Sequence, residues 1–224
     1  RDRPKVLAAR PHSSMILNNA TFILQWMILF HIKEDIGGYT MREVMLLWGL
    51  AASTFGLSRI LFARAFSLPD LIVSGKLDSY LVQPKNVLLS VITSATNTSA
   101  IGDLLYGLIL LCVFCFSVKR LLLFLLFTVT GAAILAAFAL LLGSLSFWFL
   151  RADAFAQHMV NSSISFATYP DGIFHGAARF LLYQVLPVGM VIYRPVHVMV
   201  DFDMGSLARI LAYTVLICAL ATTV

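Results

Sequence analysis

"LLLFLLFTVTGAAILAAFALLLGSLSFWFL", Leu121 to Leu150, runs for thirty residues without a formal charge. As a helix rising 1.5 Å per residue it reaches about 45 Å, beyond the roughly 30 Å of hydrocarbon in a bilayer. Such a stretch is expected to cross the membrane with a tilt, or to project past it. The rest of the chain suits the same solvent. Of its 224 residues, 60% are hydrophobic and 12% charged, and mean hydropathy is +0.89. Soluble domains hold about 45–50% apolar residues, so too little polar surface remains here to cover a water-soluble globule. The expected fold class is all-α: a polytopic membrane protein.

Outward from that run, the apolar pattern predicts six transmembrane helices, at about 14–32, 44–63, 96–118, 121–150, 152–169 and from 205 onward. Lys119 and Arg120 are expected to form a very short turn between the third and fourth. Before the sixth lies "FLLYQVLPVGMVIY", Phe180 to Tyr193, interrupted by Pro187 and Gly189 and closed by Arg194 and Pro195. Fourteen residues fall short of a crossing, which predicts a re-entrant hairpin. No repeat or linker divides the chain, so residues 1–224 read as a single transmembrane domain. It opens on Arg1 and stops at Val224 inside an apolar run, and both termini are expected to be truncated.

The net charge of +5 does not point to nucleic acid, because no basic stripe interleaved with aromatics appears. The flank "RDRPKVLAARPH" carries Arg1, Arg3, Lys5 and Arg10 ahead of the first span. Basic residues favour the cytoplasmic side of a membrane, which places the N-terminus in the cytoplasm. Arg59 and Arg64 then end the second span where they can snorkel to the inner headgroups.

Catalytic and metal-binding patterns are missing from the sequence: there is no GxSxG, HExxH or GxxxxGK[ST], and no pair of intramembrane aspartates. No metal ligand set and no catalytic residue is expected. "CVFC", with Cys112 and Cys115, reads as two small buried side chains in a span. His158 reads as a hydrogen-bonded structural histidine, and Asp103 as either an intramembrane acid or a solvated helix end. The fifth span is the least apolar. Gln157, Asn161, Ser165 and Thr168 recur at helical spacing and share a face, which must meet protein or water because unpaired polar groups in hydrocarbon are costly. Asn18 and Gln25 make a weaker version on the first span. Two readings stand: a candidate substrate pathway, or polar contacts between helices.

"SGKLDSYLVQPKN", Ser74 to Asn86, is half polar between two apolar stretches. As a helix it places Leu77, Tyr80 and Leu81 on one face and Lys76, Asp78, Ser79 and Gln83 toward water or a partner. Pro84 would end it. Its residues alone fit either a helix lying on headgroups or a docking element.

The longer stretch "LIVSGKLDSYLVQPKNVLLSV" resembles the segment after the second span in ATP-binding-cassette type-2 permeases of the daunorubicin-exporter-like kind. Gly75, Leu77, Asp78, Leu81 and Pro84 match its Gly-x-Leu-Asp-x-x-Leu-x-x-Pro pattern, while Gln83 stands where that pattern usually has arginine. "LPVGMVIYRPVHVM", with Pro187, Tyr193 and Pro195, resembles the stretch before the family's last span, and "SLSFWFLRADAF" its junction between spans four and five. The resemblance implies a permease subunit of an ATP-driven ABC transporter, an exporter of the bacterial cytoplasmic (inner) membrane that is not itself an enzyme. Its coupling helix would comprise Gly75, Lys76, Leu77, Asp78, Tyr80, Leu81 and Pro84. Implied partners are cytoplasmic ATPase subunits, which would hold ATP and Mg, a second permease subunit, identical or homologous, and membrane lipid. No cofactor would bind this chain. A non-transporting structural or assembly subunit is the alternative; an ion-coupled carrier would need buried carboxylates, and Asp103 alone offers one.

Overall fold

The computed structural model describes residues 10–84, 86–149 and 152–223, with side chains described from Thr21 onward. These residues are mostly helical, and no strand beyond an isolated bridge appears among them. In chain order they form α1 (Arg10–Ile32), α2 (Met41–Phe62), a 3-10 turn (Ala63–Ser67), α3 (Leu68–Val73), α4 (Asp78–Leu81) and α5 (Val87–Ile92). A short 3-10 turn leads into α6 (Ile101–Phe114), followed by α7 (Val118–Ser144) and α8 (Ala152–Ala167). Then come α9 (Ala177–Phe180), π-helical turns at Leu181–Val185 and Gly189–Tyr193, α10 (Arg194–Val200) and α11 (Met204–Thr223). Among the described residues, three stretches are long and apolar enough to cross a membrane: Met41–Val73, Val118–Phe147 and Met204–Thr223. Thr21–Ile32 and Thr98–Phe114 are shorter apolar helices.

The core is built around α2, whose residues Val44 to Leu47 and Leu50 are buried. Apolar area alone does not hold helices together in lipid, so close backbone approach must do so. Gly49, Ser53 and Gly56 of α2 meet α6 along one seam. A methyl group on Gly107 would overlap the Gly49 carbonyl and the Ser53 hydroxyl, and one on Gly56 would sit 2.7 Å from the Leu104 nitrogen. The Ser53 hydroxyl donates to the Leu104 carbonyl across the seam at 3.1 Å. On its other side α2 receives α7, where Gly131 faces Thr54. Glu43 opens α2 by accepting hydrogen bonds from the backbone N–H and hydroxyl of Thr40, at 2.7 and 2.9 Å.

Several boundaries differ from the sequence expectation. The third apolar helix is shorter, Thr98–Phe114 against 96–118. Lys119 and Arg120 form no turn: they lie in the first turn of α7, and the chain reverses at Cys115–Ser117 instead. Extended backbone at Ser117 starts the helix, and the Lys119 ammonium finds a place 4.3 Å from the centre of the Phe202 ring. Cys115 is buried, its thiol donating to the Arg42 carbonyl at 3.3 Å, but Cys112 is exposed, one residue round a helix whose inner face is already filled by Leu110 and Leu111. His158 is exposed too and makes no hydrogen bond among the described residues, because α8 turns that side away from the core.

Residues 177–200 form two helical limbs that meet at Leu186 and Pro187, where Leu186 takes an extended backbone. The Tyr183 ring packs onto Gly189 so closely that a methyl group there would overlap it. Pro187, Gly189, Tyr193 and Pro195 are all buried. The second limb seats Val191 against Gly131 of α7.

Candidate functional site

The segment after α2 folds tightly because of its proline and glycine. Pro69 lies in the first turn of α3, where its missing N–H costs nothing. Gly75 ends α3 in the left-handed region (φ 69°), its N–H donating to Ile72 at 3.1 Å while Leu77 N–H reaches back to Leu71 at 3.1 Å. A side chain on Gly75 would meet open space but a strained backbone. Leu77 thereby turns inward and is buried, and Tyr80 is half-buried. Leu81, expected on the same face, is 58% exposed because α4 lasts only one turn. Val82 caps that turn ahead of Pro84, and the Asn86 side chain accepts from Leu89 N–H at 3.1 Å to start α5. Lys76 and Asp78 are exposed, and their side chains make no hydrogen bond or ion pair among the described residues.

Beside this segment lie two adjoining cavities. One, of about 290 Å³, opens between α2, α3, α7 and α8 and is lined by Arg59, Phe66, Asp70, Gln157 and Asn161. The Arg59 guanidinium stands 4.5 Å from the centre of the Phe66 ring. The other, of about 550 Å³, is lined by Arg64, Lys76, Ser79, Tyr80 and Asp153. Ser67 and Asp70 border both. The short helix α3 with the turn before it is therefore a partition, with part of the polar stripe of α8 on one side and the glycine-led segment on the other.

That stripe does not stay together. Gln157 and Asn161 reach the smaller cavity, whereas the Ser165 hydroxyl bonds back to the Asn161 carbonyl at 3.0 Å. Thr168 bonds back to the Ser165 carbonyl at 2.7 Å and borders a third cavity of about 220 Å³ with Trp48, Asp103 and Tyr106. Gln25 is exposed on α1, and the Asn18 side chain lies outside the described ones. Arg59 and Asp70 were not singled out as cavity residues by the sequence. Their only signal was two charges bracketing the end of an apolar run.

A family model described as "ABC-2 family transporter protein" matches residues 16–224. The chain belongs to the ABC-2 transporter family. It is an integral membrane protein and a permease subunit of an ABC transporter, in a family whose members are normally non-catalytic and associate with an ABC ATPase component. No curated protein and no solved structure matches it.

At its opposite end the ABC-2 chain carries a polar cluster that no local sequence pattern announced. Two glycines, Gly37 and Gly38, supply the positive φ angles of a tight turn closed by Ile36 and Tyr39. Gly172 packs directly on the Gly37 carbonyl, an approach only glycine permits. That contact brings Tyr39 to Asp171, a carboxylate with 3% exposure. Asp171 accepts from the hydroxyls of Tyr39 and Tyr183, each at 2.7 Å, and from Arg179 at 3.4 Å, while His197 Nε2 stands 3.6 Å away. Burial pushes the Asp171 carboxyl up, but the nearby His197 and the hydrogen bonds from Tyr39 and Tyr183 outweigh it and hold the carboxyl at about 2.

Proposed function

We propose that this ABC-2 chain is the membrane-spanning half of an ATP-driven exporter, worked by a separate ATPase through residues 74–84. The observation that carries the reading is the shared partition: Ser67 and Asp70 border both the cavity of Gln157 and Asn161 and the cavity of Lys76 and Tyr80. A push on the glycine-led segment reshapes the polar chamber with one short helix between them. ATPase closure need only favour one of two arrangements of that helix to shift the population between them. In this reading α1, α2, α6, α7, α8 and α11 are six spans, and the basic N-terminal flank puts residues 63–100 on the cytoplasmic side. Thr98–Phe114, at seventeen residues, meets the lower bound for a crossing helix. The limbs about Pro187 form the re-entrant hairpin, on the outer side with Asp171.

Gly75, Lys76, Leu77, Asp78, Tyr80, Leu81 and Pro84 make up the coupling element. Leu77 anchors it, and the exposed carboxylate of Asp78 is presented to the ATPase. Gln157 and Asn161 belong to the pathway. A second permease subunit, identical or homologous, covers the exposed polar face of α8, in a bacterial cytoplasmic membrane. ATP and Mg stay with the ATPase, and this chain holds no cofactor. A structural subunit that transports nothing would have its polar residues satisfied by neighbouring helices. The amides of Gln157 and Asn161 have no such partner among the described residues and border a cavity, which favours transport.

Two experiments test the reading. Affinity purification in mild detergent should bring down an ATPase subunit. In that complex, Gly75→Leu with Asp78→Lys should leave assembly and basal hydrolysis in place but abolish the stimulation that the permease gives the ATPase. Undiminished stimulation in the double variant sinks the coupling role.

A further inference from the structure

The cavity between α2, α3, α7 and α8 holds four polar side chains with no hydrogen-bond or ion-pair partner among the described residues. Arg59 stacks on Phe66 but makes no hydrogen bond or ion pair through its side chain among the described residues. Asp70 borders the same space, also without a side-chain partner among the described residues, and the two charges do not pair within 4.0 Å. Gln157 and Asn161 add two amides whose side chains are equally unbonded among the described residues. Opposite charges that share a chamber and do not meet leave room for a ligand carrying both signs. The guanidinium offers a fork of donors that suits a phosphate, and the carboxylate accepts from an ammonium. Ala139, Ala156 and Val160 give the cavity an apolar wall. Its volume of about 290 Å³ is at the small end for a ligand site, enough for a headgroup and not for a whole amphiphile. Arg59 sits in the last turn of α2, where a span meets the headgroup layer.

We infer that this cavity binds a zwitterionic phosphate–amine headgroup, with Arg59 on the phosphate, Asp70 on the ammonium, and Gln157 and Asn161 donating to or accepting from the oxygens and nitrogen between them. The inference rests on the permease reading only for its place in the inner leaflet.

The test uses the full chain purified in mild detergent with any subunit it retains, stripped of lipid, and titrated while its melting temperature is followed. The probes are short-chain phosphatidylethanolamine, short-chain phosphatidylglycerol and soluble glycerophosphoethanolamine. Phosphatidylethanolamine should raise the melting temperature at concentrations about tenfold below phosphatidylglycerol, the ratio worth one ion pair in a partly buried site. Asp70→Asn, on an exposed residue whose side chain bonds nothing among the described residues, should remove that preference without weakening the response to phosphatidylglycerol. Arg59→Gln should weaken both lipids. Equal responses to the two lipids in the wild type, or a preference that survives Asp70→Asn, overturns the inference. A response to glycerophosphoethanolamine equal to that of the lipid supports a water-borne ligand of this chemistry; a response to the acylated form alone supports one drawn from the bilayer. Failure to co-purify an ATPase would sink the ATPase-coupled exporter reading and leave these titrations standing, while equal lipid responses would do the reverse.

Discussion

Asp171 shows how much one side chain can bind together. It joins the Tyr39 turn, its own loop, and both limbs of the Pro187 element through Tyr183 and His197. Its carboxyl is held at about 2, below the ordinary 3.8. The stabilisation is therefore fully present above pH 3.8 and is lost as pH falls through about 2, and the shift is worth about 2 kcal/mol. Asp171→Asn should lower the melting temperature at pH 7 and flatten its fall between about pH 4 and 2. A variant that melts with the wild-type pH profile removes the charge from the explanation. Nothing local could have revealed this cluster, because Tyr39 and Asp171 are 132 residues apart in the chain. Only "GG" before Tyr39 and "DG" at Asp171 hinted at tight turns there. Leu81 fails in the opposite way. Its helical phase matches Leu77, but phase decides a face only when a helix lasts longer than the single turn of α4.

Among the elements, the seam between α2 and α6 depends on atoms that are missing. Gly107→Ala should push the helices apart and cost about 1–3 kcal/mol, as overpacking does in a tight core. Gly102→Ala, in the same helix but with open space around it, should be neutral or slightly stabilising, since alanine is the better helix former. Thermal melts of the two variants in one detergent check the pair, and equal losses would remove the seam argument. The helical identity of α2, α7 and α11 was legible in the sequence, since long uncharged runs admit few other structures. Their ends were less so. Periodicity carries α7 through Lys119 and Arg120 as easily as around them, and the reversal at Ser117 depends on its backbone, not on hydropathy.

On the scale of the whole molecule, burial is uneven. The span windows in Met41–Val73 and Val118–Phe147 are each 67% buried, that in Met204–Thr223 only 17%. The first two are core, and α11 is a wall turned outward. Gln157, Asn161 and Ser165 are exposed on α8, a polar face that lipid would not tolerate. If that face meets a wet pathway, Asn161→Cys should react with a charged methanethiosulfonate reagent at least tenfold faster than the native Cys112, which is exposed on apolar α6. Equal, slow reaction at both positions would show that no wet pathway reaches the α8 stripe. The stripe itself could be read from spacing, but its division between two cavities could not. That division depends on which helices stand opposite: α3 across from Asn161, and α6 across from Thr168.

The floor of the polar chamber is also the ceiling of the larger cavity beside residues 74–84. Pro69, in the first turn of that six-residue helix, lies against Gly143 of α7, where a methyl group would come within 3.2 Å of its ring. So small a rigid body, set against a glycine, would have almost no internal compliance in which a displacement could be lost. Transmission would then need no chain of relaying side chains, and its fidelity would depend on the smoothness of that one bearing.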